Sequence, residues 1–193
     1  SFGQAKRDAA EEYALECSII KIIGSETLDY CVDEAVQIFG GMGYSEEGSV
    51  ARAYRDSRIN RIFEGTNEIN RMVILSSILK SAMKGELDLM TPGMKVQDEL
   101  INGSVSDIVF EGPFAEEWTA MYNFKKVLIM LLGSAAQQAM SGKLDLKAEQ
   151  EILMNLADII IEIFNVESTL LRVQKISENY PEKNLDVYQA ILE

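Results

Sequence analysis

The chain contains no histidine. Ser-His-Asp and Cys-His nucleophilic sites are thereby excluded within it, as are most zinc sites, because these need an imidazole as base or ligand. No metal site is expected, and any acid–base chemistry must come from Asp, Glu, Lys, Tyr or Cys. The two cysteines, Cys17 and Cys31, are too few for a disulfide framework, which points to a reducing compartment. Each lies in an apolar helical pattern and reads as a small buried hydrophobe. The three prolines, Pro92, Pro113 and Pro181, fall where helical patterns break. No apolar run approaches the roughly 20 residues that span a bilayer. The longest, residues 127–132 and 159–161, read as faces of core helices. The chain opens with Ser1 and Phe2 rather than Met, so it reads as a piece of a longer chain, and nothing follows from the lack of a targeting segment.

What is present is an ordinary globular composition, 47% hydrophobic over 193 residues, with a formal net charge of −13. Such acidity makes nucleic acid and anionic membrane surfaces poor partners. The charge is uneven. Residues 1–85 carry 10 basic and 13 acidic side chains, whereas residues 86–193 carry 8 and 18. The change suggests two parts, 1–85 and 86–193, with the boundary near residues 85–95.

Apolar residues at helical spacing (Ala10, Tyr13, Ala14, Cys17, Ile20) predict a helix over residues 9–23, ended by Gly24. Ser25 is a plausible N-cap for a second helix over 26–39, burying Leu28, Cys31, Val32, Ala35, Val36 and Phe39. The glycines of Gly40-Gly41-Met42-Gly43 argue against a stable helix there. A short helix over 50–59, a break at Glu64-Gly65, and a long helix capped by Thr66 or Asn67 and closed near Lys84-Gly85 complete the first part. Residues 86–117 read as irregular, with turn signals at Pro92-Gly93, Asn102-Gly103 and Gly112-Pro113. Helices follow over 118–140 and 147–176, the latter with Ile152, Leu156, Ile159, Ile160, Ile163, Phe164 and Leu170 on one apolar face, and a short piece spans 184–192. No strand alternation of useful length occurs. The fold class is all-α, a helical bundle with an appended C-terminal helical extension.

Three constellations could carry chemistry. In Gln37-Ile38-Phe39-Gly40-Gly41-Met42-Gly43-Tyr44 a helix ends and leaves bare backbone, suited to close approach of a phosphate or an adenine, or simply a helix stop. A helix precedes it, so it is not a strand-turn-helix dinucleotide fingerprint. In Arg61-Ile62-Phe63-Glu64-Gly65-Thr66-Asn67-Glu68-Ile69 a carboxylate sits between an apolar pair and a glycine, just before a helix. Apolar surroundings favour the neutral acid and a helix N-terminus favours the anion, so Glu64 is either a tunable base or a solvated residue that complements the helix dipole. Arg52, Arg55, Arg58 and Arg61 form a stripe near Glu46, Glu47 and Asp56, read as salt-bridged surface rather than an anion site.

These pieces, in this order, resemble the C-terminal domain of the acyl-CoA dehydrogenase family. The likeness rests on residues 34–44 (EAVQIFGGMGY), 54–59 (YRDSRI) and 62–71 (IFEGTNEINR). It covers residues 1–85, and the remainder looks like the C-terminal extension of the very-long-chain branch. The resemblance implies FAD as cofactor and α,β-dehydrogenation of an acyl-CoA thioester in fatty acid β-oxidation. Glu64 would abstract the α-proton while the β-hydrogen leaves as hydride to the flavin. The base's own backbone N–H would polarise the thioester carbonyl, which stabilises charge where it develops. Gly65 would lie against the thioester. Thr66, Asn67 and Glu68 match the segment touching the adenosine diphosphate part of FAD, although Glu68 departs from the Gln of some members. Gln37, Ile38, Phe39, Gly40 and Gly41 match the segment that reaches the flavin of a neighbouring subunit, which implies a homo-oligomer, dimer or tetramer. An electron-transfer flavoprotein is the implied acceptor. The location implied is cytoplasmic in a bacterium or mitochondrial in a eukaryote, with cytoplasmic favoured.

The family's N-terminal helical domain and central β-domain are absent here, so this piece alone is expected neither to hold flavin tightly nor to turn over. Its acidic second half lacks a basic amphipathic helix, so membrane binding is not expected. Two other readings are a non-catalytic helical interaction module and an acyl-CoA oxidase, against which Thr66-Asn67 argues.

Overall fold

The computed structural model describes residues 2–103, 108–145, 148–180 and 186–192, without the side chains at positions 8 and 189. All regular structure among them is helical, and the chain divides into two compact units, Ser1–Lys84 and Gly85–Glu193.

The first unit is organised around one long helix. Helix α1 spans Phe2–Glu12, and after a break at Tyr13 helix α2 runs unbroken over Ala14–Phe39. Gly24 does not end it, and Ser25 does not cap a new one. A glycine inside a helix costs only about 1 kcal/mol relative to alanine, which the packing of α2 outweighs. A Cβ added at exposed Gly24 would meet nothing within 4 Å. Gly24→Ala should therefore stabilise the protein by about 0.5–1 kcal/mol in urea unfolding; a destabilisation would mean that Gly24 is needed as a joint.

The buried face of α2 also differs from the expected one. Ser18, Ile19, Ile22 and Ser25 are buried, whereas Cys17, Cys31, Tyr13, Ile20, Leu28 and Phe39 are exposed; Val32, Ala35 and Val36 are half-buried. Residues 17–23 are nearly apolar all round, so periodicity alone does not select a face. The neighbours of α2 select it.

Two of those neighbours are short. Gly40, at φ 57°, breaks the helix, and Gly41–Tyr44 forms a single turn, α3, despite its glycines. The turn suits Gly43 in particular, because a Cβ there would lie 2.7 Å from the Val36 carbonyl oxygen. Helix α4 (Ser49–Arg58) passes through a 3-10 turn at Ile59–Arg61 into the Glu64-Gly65 break. Helix α5 (Asn67–Lys84) then packs Ile74 and Leu75 into the core with Ile19 and Ile22. Of the arginine stripe, Arg55 pairs with Glu46 at 2.5 Å and Arg61 with Asp29 of α2 at 2.7 Å.

The second unit begins with a correction. Residues 90–102 are not irregular: helix α6 spans Met90–Asn102. Pro92 sits in its first turn, where a missing N–H costs nothing. The Asp88 carboxylate accepts from the Thr91 and Met90 N–H groups at 3.0 Å each, and the Thr91 N–H and hydroxyl, with a smaller part from Met90, hold its carboxyl below the ordinary carboxylate range. Helices α7 (Ala115–Met140) and α8 (Gln150–Asn179) form the main pair, followed by α9 (Asp186–Leu192). Helix α8 buries Leu156, Ala157, Ile160, Ile161, Leu170, Val173 and Ile176. Of the face expected from sequence, Leu156, Ile160 and Leu170 are thus buried, Ile159, Ile163 and Phe164 are half-buried, and Ile152 is 36% exposed. Phe114, Leu170 and Val173 form a cluster against Trp118, whose indole N–H donates to Gln174 at 3.1 Å. Lys126 pairs with Glu99 at 2.6 Å, and Lys125 with Glu167. Pro181 and the expected helix starts at Lys147 and Asn184 lie outside the described residues.

Candidate active site

Glu64 is exposed and sits at φ 54°, and among the described residues no other non-glycine residue has a positive φ. A left-handed backbone costs such a residue about 1–2 kcal/mol, so the turn must be held from outside. Gly65 follows at φ 81°, where a Cβ would come within 3.1 Å of the Asn70 amide nitrogen. The group that approaches bare Gly65 within this chain is therefore the Asn70 side chain.

The hold on the turn has two sources. From α5, the Asn70 amide donates to the carbonyls of Gly65 (2.9 Å), Thr66 (3.1 Å) and Glu64 (3.4 Å). From α2, the Lys21 ammonium donates to the Gly65 carbonyl at 2.8 Å and to Asn67 Oδ1 at 2.6 Å. Asn67 opens α5 but faces inward, 1% exposed. Its amide donates to Ser25 Oγ at 2.9 Å and Glu26 Oε1 at 3.0 Å. Arg71 closes the network with a bidentate pair to Glu26, at 2.9 and 3.2 Å. The sequence marks Ser25 only as an N-cap and Asn70 and Arg71 only as part of the 62–71 motif, and it does not mark Lys21 or Glu26, because nothing in a helical pattern shows which polar residues of α2 face a turn so far along the chain.

Burial pushes the Glu26 carboxyl up, but hydrogen bonds from Arg71 and Asn67 and the charges of Arg71 and Arg61 outweigh it and hold it below its ordinary value. A carboxyl depressed in the folded state stabilises above its unfolded value, about 4.3, and that stability is lost as pH falls through the folded value. The side chain is 37% exposed, so solvent screening keeps the effect to about 1 kcal/mol or less. Urea unfolding between about pH 5 and 3 should show the parent losing that much more stability than Glu26→Gln; parallel curves would remove Glu26 from the acid response.

At the start of α5 the Thr66 hydroxyl accepts from the Ile69 N–H at 3.3 Å. The Glu68 carboxyl is held below its ordinary range by its own backbone N–H and the Thr66 hydroxyl, with Arg71 and Arg61 contributing. The other candidate segment lies elsewhere. Gln37, Ile38 and Phe39 end α2 and are exposed, as are Gly40 and Gly41. Lys21 and Gln37 stand 16 residues apart on α2, about 24 Å along its axis. Glu64 to Glu68 are thus gathered at one point and Gln37 to Gly41 at another. No group of three or more metal-ligating side chains occurs among the described residues.

Residues 3–79 match the family described as "Acyl-CoA dehydrogenase, C-terminal domain", and residues 123–192 match a second family of the same description. The chain belongs to the acyl-CoA dehydrogenase family. Within it, the chain is 49% identical over 164 residues to the "Probable acyl-CoA dehydrogenase" of Bacillus subtilis (strain 168), covering 85% of this chain and 27% of that protein. It is 30% identical to the rat "Very long-chain specific acyl-CoA dehydrogenase, mitochondrial", over 89% of this chain and 28% of the relative. A Bacillus anthracis acyl-CoA dehydrogenase crystallised with FAD shares 46% identity and superposes with a TM-score of 0.80, over 90% of this chain and 28% of that one. The chain therefore spans about a quarter of the length of these acyl-CoA dehydrogenases. None of its helices, among the described residues, is long and apolar enough to cross a membrane.

Proposed function

We propose that this chain is the C-terminal part of an FAD-dependent acyl-CoA dehydrogenase that oxidises long-chain acyl-CoA thioesters at the α,β-bond, with Glu64 as the base. The observation that carries the reading is Glu64 itself: the strained carboxylate stands on the turn that Lys21 and Asn70 clamp. Strain that the surroundings over-determine clusters at active sites. The carboxylate takes the proton next to the thioester carbonyl, and the backbone N–H beside it steadies the developing oxyanion. A bound FAD would supply the hydride acceptor for the β-hydrogen, which no side chain here offers.

The two cofactor segments suit that group in different ways. Around Gly40 and Gly41 a Cβ would meet nothing within 4 Å, and Ile38 is 79% exposed, so the end of α2 offers a bare backbone beside an uncovered apolar side chain. Their separation from the Glu64 turn fits a composite site in which residues 37–41 serve the flavin of a second copy, so that the enzyme is a homo-oligomer. Thr66 and the backbone opening α5 would meet the diphosphate end. The Glu68 carboxylate, held charged at that terminus, would repel a diphosphate, and the buried Asn67 side chain positions the turn; neither side chain is assigned to FAD. Gly65 lies beside the thioester through its backbone.

The long-chain assignment, and β-oxidation with it, is supported by the very-long-chain relative, which matches across both units. An electron-transfer flavoprotein is the acceptor proposed. Anaerobic titration of the purified full-length protein with acyl-CoAs of increasing length should bleach its bound flavin, fastest with long chains. A protein that carries no flavin, or whose flavin no acyl-CoA reduces, would instead mark the chain as a helical interaction module.

A further inference from the structure

We infer that Lys21 is a positioning residue of the reaction: by holding the Gly65 carbonyl it locks the left-handed Glu64-Gly65 pair in the orientation from which the carboxylate reaches the α-proton. The inference rests on the assignment of Glu64 as base. The Gly65 carbonyl accepts two hydrogen bonds, from Asn70 at 2.9 Å and from Lys21 at 2.8 Å. They do different work. Asn70 belongs to α5, into which the turn leads, so it shapes the turn without anchoring it to anything else. Lys21 comes from α2, 44 residues earlier, and joins the turn to the helix at the centre of the unit.

The ammonium is itself fixed. Its second acceptor is Oδ1 of Asn67, buried and bonded in turn to Ser25 and Glu26 of α2. Both acceptors are neutral oxygens, and Lys21 pairs with no carboxylate among the described residues. A cation used in this way orients a peptide plane; it does not balance a charge. Without it the Gly65 carbonyl keeps only the bond from Asn70, which does not tie the turn to α2; glycine's wide backbone range then lets the turn shift and swing the carboxylate away. A displacement of about 1 Å in a reacting group is enough to cost about a hundredfold in rate.

The test uses the full-length, flavin-loaded protein and the acyl-CoA that bleaches the parent's flavin fastest. Flavin reduction is followed anaerobically by stopped flow, per bound flavin, with unlabelled and α-deuterated substrate. Lys21→Met should reduce its flavin about 10–100-fold more slowly at saturation, with half-saturation moved by less than about threefold. Its α-deuterium isotope effect should rise, because proton abstraction becomes the slower event. Lys21→Arg, which keeps a cationic donor, should recover part of the rate. A merely structural lysine would change flavin content or stability and leave the per-flavin rate and isotope effect alone. A Lys21→Met rate within about twofold of the parent would overturn the inference. If Lys21→Met does not load flavin, Lys21→Gln is judged by the same criterion. Glu64→Gln run in parallel separates the two failures. An active Glu64→Gln enzyme removes the base, whereas an inert one beside a fully active Lys21→Met enzyme removes only the clamp.

Discussion

Glu64→Gln in the full-length protein should slow flavin reduction by acyl-CoA about 10²–10⁴-fold while flavin stays bound. That is the range by which a positioned general base accelerates proton transfer. Gln keeps the shape and the backbone of the turn but has no basic oxygen, so the loss reports the chemistry and not the fold. A second variant exploits the strain. Glu64 stands at φ 54°, a conformation glycine adopts freely. Glu64→Gly should therefore be as inactive as Glu64→Gln and yet be more stable by about 1 kcal/mol. Inactivity together with a gain in stability is the pattern of a site that keeps strain for function. The readout is stopped-flow flavin bleaching beside urea unfolding. Parental rates in both variants would remove Glu64 from the mechanism, and a stability loss in Glu64→Gly would show that the carboxylate, not the backbone, holds the turn.

Asn67→Ala should destabilise the protein by about 2–4 kcal/mol. The side chain is 1% exposed and bonds to Lys21, Ser25 and Glu26 at once. Truncation leaves the buried Ser25 hydroxyl short of a partner and takes one bond each from the half-buried Lys21 and Glu26. Asn67→Asp separates geometry from charge: the shape and the acceptor for Lys21 remain, but a second carboxylate faces Glu26. Its destabilisation should be greatest near neutral pH and shrink on acidification, as one of the two facing carboxylates takes up a proton. Urea unfolding of the three proteins at two pH values reads this directly. A cost below about 0.5 kcal/mol for Asn67→Ala would mean that the network is surface decoration.

Much of this is legible in the sequence. Helical spacing and the breaks at Gly40, Glu64-Gly65 and Gly85 located α4, α5, α7 and most of α8, since an amphipathic stripe and a helix stop are local properties of the chain. The motifs at residues 34–44 and 62–71 carried the family resemblance in the same way. Errors arose where local signals are weak against packing. Gly24 read as a terminator because an isolated helix would fray there, but α2 is held along its length by α4 and α5. Pro92 signals a turn although the first turn of a helix tolerates it, and the Asp88 carboxylate that bonds to the N–H groups of that first turn carries no distinct mark in the sequence.

The sequence by itself determined the helical class, the chemistry open to a chain without histidine, and the placing of a carboxylate beside a glycine at a helix start. These follow from composition and from contacts a few residues apart. Only the tertiary structure decided that Lys21, Ser25 and Glu26 meet Asn67 and Arg71, that Cys17 and Cys31 face outward, and that Glu64 is held left-handed. Each of those depends on which face of α2 is covered by α5, and a helix apolar on several sides leaves that choice to its partners.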